Sequence, residues 1–91
     1  MKLTTKGRYA VMAMADLAAN QHLRPVSLND ISIRQNISLS YLEQLFAKLK
    51  NEKLVKSIRG PSGGYILEKS PKDIKISNII FAVDEQVKTL N

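Results

Sequence analysis

The sequence predicts a mainly α-helical domain with a small β-hairpin, arranged as a winged helix-turn-helix over residues 1–91. Three observations support this fold. Two short helical patterns are separated only by Asn36-Ile37-Ser38, two β-prone runs follow them, and the glycine-rich segment GPSGG joins those runs. We expect the helix-turn-helix at about residues 28–51, the wing at about 54–68 and a last helix at about 77–86.

The first helix is predicted from a threonine cap and one apolar face. Thr4 or Thr5 can accept a hydrogen bond from a free amide of the first turn. The apolar residues then recur with the i, i+1, i+4, i+7, i+8 spacing of a helix that buries one side, and they are Ala10, Val11, Met14, Leu17 and Ala18. We expect this helix to end near residues 20–22.

The second and third helices are short and joined by a tight turn. Ser27 and Asp30 resemble a capping box at the start of a helix over about residues 28–35. Its apolar residues are Leu28 and Ile31, with Ile33 as a further candidate. Ser38 or Ser40 can cap the next helix, whose buried stripe comprises Leu42, Leu45, Phe46 and Leu49. Two helices joined in this way are typical of a helix-turn-helix, in which the second helix can enter a major groove.

Two β-prone runs, residues 54–59 and 65–67, flank a loop that contains Pro61 and three glycines. Because proline lacks an amide donor and glycine permits positive φ angles, this loop is predicted to be the turn of a wing. Beyond Pro71, residues 74–76 are a candidate third strand, and Ser77 is the expected cap of the last helix. The inner face of that helix is expected to comprise Ile79, Ile80 and Val83.

Basic residues are concentrated in the first two thirds of the chain, which has a formal net charge of +6 at pH 7. Residues 1–59 carry ten Lys and Arg against four Asp and Glu, whereas residues 60–91 carry four of each kind. A polyanion is therefore the expected partner. The alternative interpretation is a solvated basic surface that serves solubility.

The composition argues against several other classes of protein. The chain has no Cys, so it offers no disulfide and no thiolate metal site, and a cytoplasmic protein is expected. Its apolar runs are shorter than the roughly 20 residues of a membrane helix, so no membrane association is predicted. Its only His, His22, is expected in an exposed loop and its carboxylates are scattered. Neither an enzyme nor a small-molecule substrate is therefore predicted. The loop GPSGG lacks the Gly-Lys-Ser/Thr of a P-loop.

The third helix has a predicted exposed face whose side chains match the chemistry of base edges. A helical projection places Ser40, Gln44 and Ala47 opposite the buried stripe. Gln can bind adenine, Ser can pair with several bases, Glu can accept from cytosine and an Ala methyl can touch thymine. The flanks of this face are formed by Tyr41, Lys48 and Glu43. The alternative is ordinary solvation, because any surface helix has a polar face.

Other residues are predicted to contact the DNA backbone or the minor groove. Ser38 is expected to cap the third helix, whose free amides can also face a phosphate. In the wing, Arg59 is suited to a narrow minor groove and Lys56 to a phosphate. Three residues at the start of the first helix are candidates for phosphate contacts, although solvated helix ends explain them equally well, and they are Lys6, Arg8 and Tyr9.

Four segments together resemble the N-terminal domain of the IscR-like iron–sulfur cluster regulators. They are LTTKGRYAVMAMADLA, DISIRQNISLSYLEQLFAKLK, VKSIRGPSGGYIL and ISNIIFAVDE, and they cover nearly the whole chain. The combination of SLSYLEQLF with RGPSGGY is more specific than a generic helix-turn-helix pattern. The resemblance implies a homodimeric bacterial transcription factor that places its third helix in the major groove of double-stranded DNA and its wing in the minor groove.

The resemblance also implies roles for individual residues. Arg59 and Pro61 match the wing tip, and Tyr9 matches a first-helix position near the DNA backbone. The recognition-helix positions are matched by Ser38, Ser40, Tyr41, Glu43 and Gln44.

The sequence departs from the family after the AVDE segment. Family members hold a [2Fe–2S] cluster through three Cys in the loop that follows, and a long helix then pairs the subunits. This sequence stops at Asn91, before that loop. We therefore expect no cluster in this chain and a homodimer weakened by the missing helix. An alternative function is a protein interaction module that pairs with and modulates a full-length relative.

Overall fold

Four α-helices, a 3-10 turn and one antiparallel hairpin make up the computed structural model of the chain, which describes residues 4–84. This is the predicted mainly α-helical winged helix-turn-helix, in which the second and third helices lie within residues 28–51. The elements in chain order are α1 (Thr5–Asn20), α2 (Leu28–Gln35), α3 (Leu39–Asn51), β1 (Val55–Ile58), β2 (Gly64–Leu67), the 3-10 turn (Pro71–Asp73) and α4 (Ile76–Val83).

Side-chain hydroxyls cap the first three helices, as the sequence predicts. Each accepts a hydrogen bond from the backbone amide three residues later. The pairs are Thr4 with Gly7 at 2.9 Å, Ser27 with Asp30 at 3.1 Å and Ser38 with Tyr41 at 3.2 Å. Between α2 and α3, Asn36 adopts a left-handed conformation with a φ of 55°. Because Asn tolerates this conformation better than most residues, α2 ends there and the turn to α3 stays tight.

The core is aliphatic, and α3 supplies its central stripe. All four predicted residues of this helix are buried, and Ile37 from the turn is buried beside them. On α2 only Ile31 is buried, whereas Ile33 is 72% exposed, so the expectation that Ile33 contributes to the core is wrong. From α1 the core receives Ala10, Ala13, Met14 and Leu17, while Val11 and Ala18 pack at its edge.

The wing is a two-stranded hairpin whose second strand is also hydrogen-bonded to the segment before α2. Val55 pairs with Leu67, and Ile58 pairs with Gly64 at the other end. The Glu68 amide donates to the Leu54 carbonyl at 2.9 Å, so the ladder extends over residues 54–68. The second strand also forms an isolated antiparallel bridge to Val26, immediately before α2.

The segment after the wing differs from the prediction. Residues 74–76 do not form a third strand, because a 3-10 turn precedes them and α4 already begins at Ile76. The cap position is Lys75 rather than Ser77, since the Asn78 side chain accepts a hydrogen bond from the Lys75 amide at 2.9 Å. The helix ends at Val83, earlier than the predicted residue 86, and residues 85–91 lie outside the described part of the chain. Its buried residues are Ile79, Ala82 and Val83, with Ile80 only half-buried.

A buried carboxylate joins α1 to α2. The side chain of Asp16 is 2% exposed, and Arg34 donates to both of its oxygens at 3.0 and 2.8 Å. Gln35 donates to it at 2.9 Å and Asn20 at 3.5 Å. The hydrogen bonds from Arg34 lower the pKa of Asp16 below its ordinary value of 3.8, and they outweigh the opposing effect of burial.

Replacement of Asp16 by Asn should destabilise the domain by about 1–3 kcal/mol at neutral pH, because a hydrogen-bonded charge partner is removed while Arg34 remains half-exposed to water. The folded-state pKa of Asp16 lies below the ordinary value, so its stabilisation is present above that value and is lost as pH falls through the folded-state pKa. Urea unfolding at several pH values should show that the difference in free energy of unfolding between Asp16→Asn and the wild type becomes smaller below about pH 4.

Asp73→Asn serves as the control for this prediction, because Asp73 is an exposed carboxylate in the 3-10 turn. Its effect on the free energy of unfolding should be small, within about 0.5 kcal/mol. If the free energies of unfolding of Asp16→Asn and the wild type differ by the same amount from pH 7 to pH 3, the ionised Asp16 carboxylate does not stabilise the fold.

Candidate nucleic-acid interface

The exposed face of α3 carries the side chains predicted to meet base edges. Ser40, Glu43, Gln44 and Ala47 are all exposed, on the side of the helix opposite its buried stripe. Since these side chains make no hydrogen bond within the described residues, their donors and acceptors face solvent. Glu43, the single carboxylate of α3, lies on this face, so the surface can accept as well as donate hydrogen bonds.

One flank of α3 is fixed to the start of α1 by aromatic contacts. The rings of Tyr9 and Tyr41 lie edge to face, with their centroids 5.8 Å apart and their planes at 86°. The guanidinium carbon of Arg8 lies 5.6 Å from the centroid of the Tyr9 ring. This is a favourable geometry for a cation–π contact. The contacts bring the basic first turn of α1, which includes exposed Lys6, next to the amino end of α3.

The other flank of α3 is fixed to the wing. The Lys50 ammonium donates to the Ser57 hydroxyl at 3.1 Å, which ties the last turn of α3 to the first strand. Closer to the core, the rings of Phe46 and Tyr65 pack with centroids 4.9 Å apart. These two contacts, one polar and one aromatic, set the position of the hairpin relative to the recognition helix.

The tip of the wing presents Arg59 and Pro61 to solvent. Its shape depends on glycine at two positions. Gly60 has a φ of 121°, which side chains disfavour, and a Cβ on Gly63 would overlap the Ile58 carbonyl oxygen. The Gly63 amide donates to the Gly60 carbonyl at 2.9 Å and closes the turn. The chain therefore reverses tightly enough for an arginine to project from the tip.

Basic side chains border the exposed face of α3 on both sides. Glu43 and Glu52 are the carboxylates between residues 38 and 59, so positive charge dominates this surface. Near the end of α3 lie Lys48, Lys50 and Lys53, the wing carries Lys56 and Arg59, and the first turn of α1 carries Lys6 and Arg8. A polar helix face between two basic borders has the charge pattern expected for contact with a double helix.

The predicted site residues fall into three groups in space. The first comprises Ser40, Glu43 and Gln44 on the open face of α3. The second lies around the amino ends of α1 and α3, where the hydroxyl of Ser38 is used as a cap, and it comprises Lys6, Tyr9, Ser38 and Tyr41. The third is the wing, with Lys56, Arg59 and Pro61. Lys48 belongs to none of these groups; it is half-buried on α3 and already interacts with another group of the chain.

Lys56 lies on a different face of the wing from the residue that contacts α3. Successive side chains of a strand point to opposite faces, and Ser57 faces Lys50 of α3. Lys56 therefore lies on the other face of the hairpin, where it is exposed. The sequence reasoning also missed Lys50 as the link to the wing, because a hydrogen bond across seven residues has no sequence signal of its own.

The described residues do not offer a site for an iron–sulfur cluster or another metal centre. The chain has no Cys, and within residues 4–84 no group of three His, Asp or Glu side chains lies close enough to hold a metal ion. The donor chemistry therefore does not fit a cluster of the kind that IscR-like proteins hold. Among these residues, no helix is both long and apolar enough to cross a membrane.

The family model described as "Rrf2: Iron-dependent Transcriptional regulator" matches residues 3–91. The chain belongs to the Rrf2 family of transcriptional regulators. It is 59% identical over 87 residues to the HTH-type transcriptional regulator IscR of Photorhabdus laumondii, which covers 96% of this chain and 53% of that relative. It is 62% identical over 87 residues to the putative HTH-type transcriptional regulator ORF2 of Azotobacter vinelandii, again covering 96% of this chain and 53% of the relative.

Solved structures of Rrf2-family regulators share the fold. T. potens IscR superposes with a TM-score of 0.86 at 51% identity, covering 92% of this chain and 61% of that one. The global cysteine regulator CymR of B. subtilis superposes with a TM-score of 0.87 at 44% identity, covering 92% and 65%. These matches confirm the IscR-like resemblance and the winged-helix fold. The chain spans about half the length of the curated relatives it matches, and those relatives are regulators rather than enzymes.

A double-mutant cycle tests the contact between α1 and α3. Tyr9→Leu and Tyr41→Leu keep apolar side chains but remove the edge-to-face geometry, so we expect a coupling energy of about 0.5–1.5 kcal/mol in urea unfolding. The cycle of Tyr9→Leu with Tyr65→Leu is the control, because Tyr65 packs on Phe46 instead and its coupling to Tyr9 should be near zero. Equal coupling in both cycles would show that the aromatic pair does not join α1 to α3.

Proposed function

We propose that this chain is the DNA-reading module of an IscR-like regulator and binds double-stranded promoter DNA with sequence preference. In this proposal α3 enters the major groove and the wing enters the adjacent minor groove. The observation that carries it is the open polar face of α3, whose two flanks are attached to basic elements through Tyr9 with Tyr41 and through Lys50 with Ser57. Neither the comparisons nor the described residues favour the interaction-module alternative.

The proposed contacts divide into base readers and backbone anchors. Gln44, Ser40 and Glu43 would read base edges, because they combine amide, hydroxyl and carboxylate groups on one exposed face. Arg59, with Pro61 beside it, would enter the minor groove. The backbone anchors would be Lys6, Tyr9, Ser38, Tyr41, Lys48 and Lys56, which fix the register without reading sequence.

We also propose that the chain binds DNA without a cluster of its own and in the cytoplasm, where a bacterial promoter is accessible. A single module makes few contacts, so a pair of modules on two half-sites would supply much of the affinity. The dimer would therefore strengthen on DNA. The two half-sites would be related by the symmetry that joins the modules.

A fluorescence titration tests DNA binding and its specificity together. An operator of an IscR relative and a scrambled duplex of the same length are titrated at several salt concentrations. We expect tighter binding to the operator than to the scrambled duplex. On both duplexes the logarithm of the affinity should fall linearly with the logarithm of the salt concentration, because each phosphate contact releases condensed counterions. Equal affinity for the two duplexes would remove the claim of sequence preference, and the absence of salt dependence would remove DNA binding.

Two single substitutions separate the roles of the wing residues. Arg59→Ala should weaken binding to the operator and reduce discrimination at a minor-groove position. Lys56→Ala should weaken binding to both duplexes alike and lower the salt slope by roughly 1. Lys72→Ala in the 3-10 turn is the matched control, since it removes an exposed cation outside the proposed interface. If the two wing variants behave identically, the division into reader and anchor is incorrect.

A further inference from the structure

The segment between α1 and α2 is hydrogen-bonded to the second strand of the wing. The Val26 amide donates to the Tyr65 carbonyl at 2.9 Å, and the Tyr65 amide donates to the Val26 carbonyl at 2.7 Å. The backbones approach so closely that a Cβ on Gly64 would overlap the Val26 carbonyl oxygen. At the other end of the segment, the Gln21 side chain accepts from the Leu67 amide at 2.7 Å. Residues 21–26 therefore keep a fixed position relative to the second strand.

Arg24 lies within this segment with its guanidinium free. It is exposed, and it makes no ion pair or hydrogen bond with any residue between 4 and 84. The other nearby arginine, Arg34, is already paired with Asp16 at 2.8 Å. Arg24 thus differs from Arg34 in having its full hydrogen-bonding capacity available to an external anion.

The position of Arg24 is beside the tip of the wing. It lines an open cleft of about 240 Å³ between the start of α2 and the wing loop. The remaining residues around this cleft are Pro25, Ser27, Asp30, Pro61, Ser62 and Gly63. Arg24 accordingly borders the same cleft as the loop that carries Arg59 and Pro61.

We propose that Arg24 binds a backbone phosphate of the DNA strand that borders the wing. The inference rests on the proposed function and adds a contact that lies outside both α3 and the hairpin. Arg is suited to this role because its planar guanidinium can hold a phosphate through two parallel hydrogen bonds. A phosphate contact from a loop beside the wing would fix the depth and angle at which the tip enters the groove, without reading sequence.

Asp30 makes the proposal sharper because this acidic residue borders the same cleft. Its negative charge opposes an incoming phosphate, so the two side chains should affect binding with opposite signs. Removal of the Arg24 charge should weaken DNA binding, whereas removal of the Asp30 charge should strengthen it. A patch that served solubility alone would show neither effect.

The experiment is a salt-dependent fluorescence titration of Arg24→Ala, Asp30→Asn and the control Lys72→Ala against the operator of an IscR relative and a scrambled duplex. Arg24→Ala should lower the slope of log affinity against log salt by about 0.9 on both duplexes. The ratio of the two affinities should stay unchanged. Asp30→Asn should increase both affinities, and Lys72→Ala should change neither. Thermal unfolding should show that Arg24→Ala is as stable as the wild type, since the side chain has no hydrogen-bond or ion-pair partner among residues 4–84 to lose.

The outcomes separate this inference from the proposed function. If the wild type binds with salt dependence and Arg24→Ala has the same slope as Lys72→Ala, Arg24 does not contact phosphate and the inference is overturned. If Arg24→Ala changes only the ratio of operator to scrambled affinity, Arg24 reads sequence and the backbone assignment is incorrect. If the wild type shows no salt-dependent binding, the proposed function fails first.

Discussion

The packing of Tyr65 against Phe46 is the contact on which the rest of the interface depends. Tyr65 lies on the second strand of the wing, while Phe46 belongs to the buried stripe of α3, and their rings are 4.9 Å apart. The backbone of Tyr65 also pairs with Ser57 and with Val26. One residue therefore connects the recognition helix, both strands of the wing and the segment before α2. Any DNA-binding surface formed by these parts can act as a unit because its spacing is set by buried contacts.

Charge alone does not define this surface. Basic residues are also exposed in the segment after the wing, where they are Lys69, Lys72 and Lys75. What distinguishes the proposed interface is that its cations border a helix face free of competing internal hydrogen bonds. The ion pair between buried Asp16 and half-exposed Arg34 contributes indirectly, since it holds α1 against α2 and occupies the guanidinium of one arginine. In the proposed interface, the bordering cations provide long-range electrostatic attraction, and the polar side chains of α3 provide the short-range contacts.

Features that depend on residues close together in the sequence were predicted correctly, whereas features that depend on distant segments were not. The caps at Ser27 and Ser38 and the buried stripe of α3 were predicted correctly, because both depend on residues three or four positions apart. The candidate strand at residues 74–76 was wrong, because β-branched residues favour a strand only when a partner strand is available. Here Asn78 instead caps a helix from inside its first turn, and α4 packs on α1. Ile33 was misassigned for a related reason, since a periodic pattern cannot show how much of a short helix a neighbour covers.

The family, the order of the elements, the aliphatic core and the polar face of α3 could be predicted from the sequence. Each of these depends on local spacing or on motifs that remain recognisable without coordinates. Which cations flank that face could be seen only in the folded chain, since pairing of Lys50 with Ser57 and of Tyr9 with Tyr41 requires contacts between separate elements. The tertiary structure also placed Arg24 beside the wing through the Val26–Tyr65 bridge, which spans 39 residues of chain. No periodicity in the sequence encodes such a contact, because it arises when distant backbones satisfy each other's hydrogen bonds.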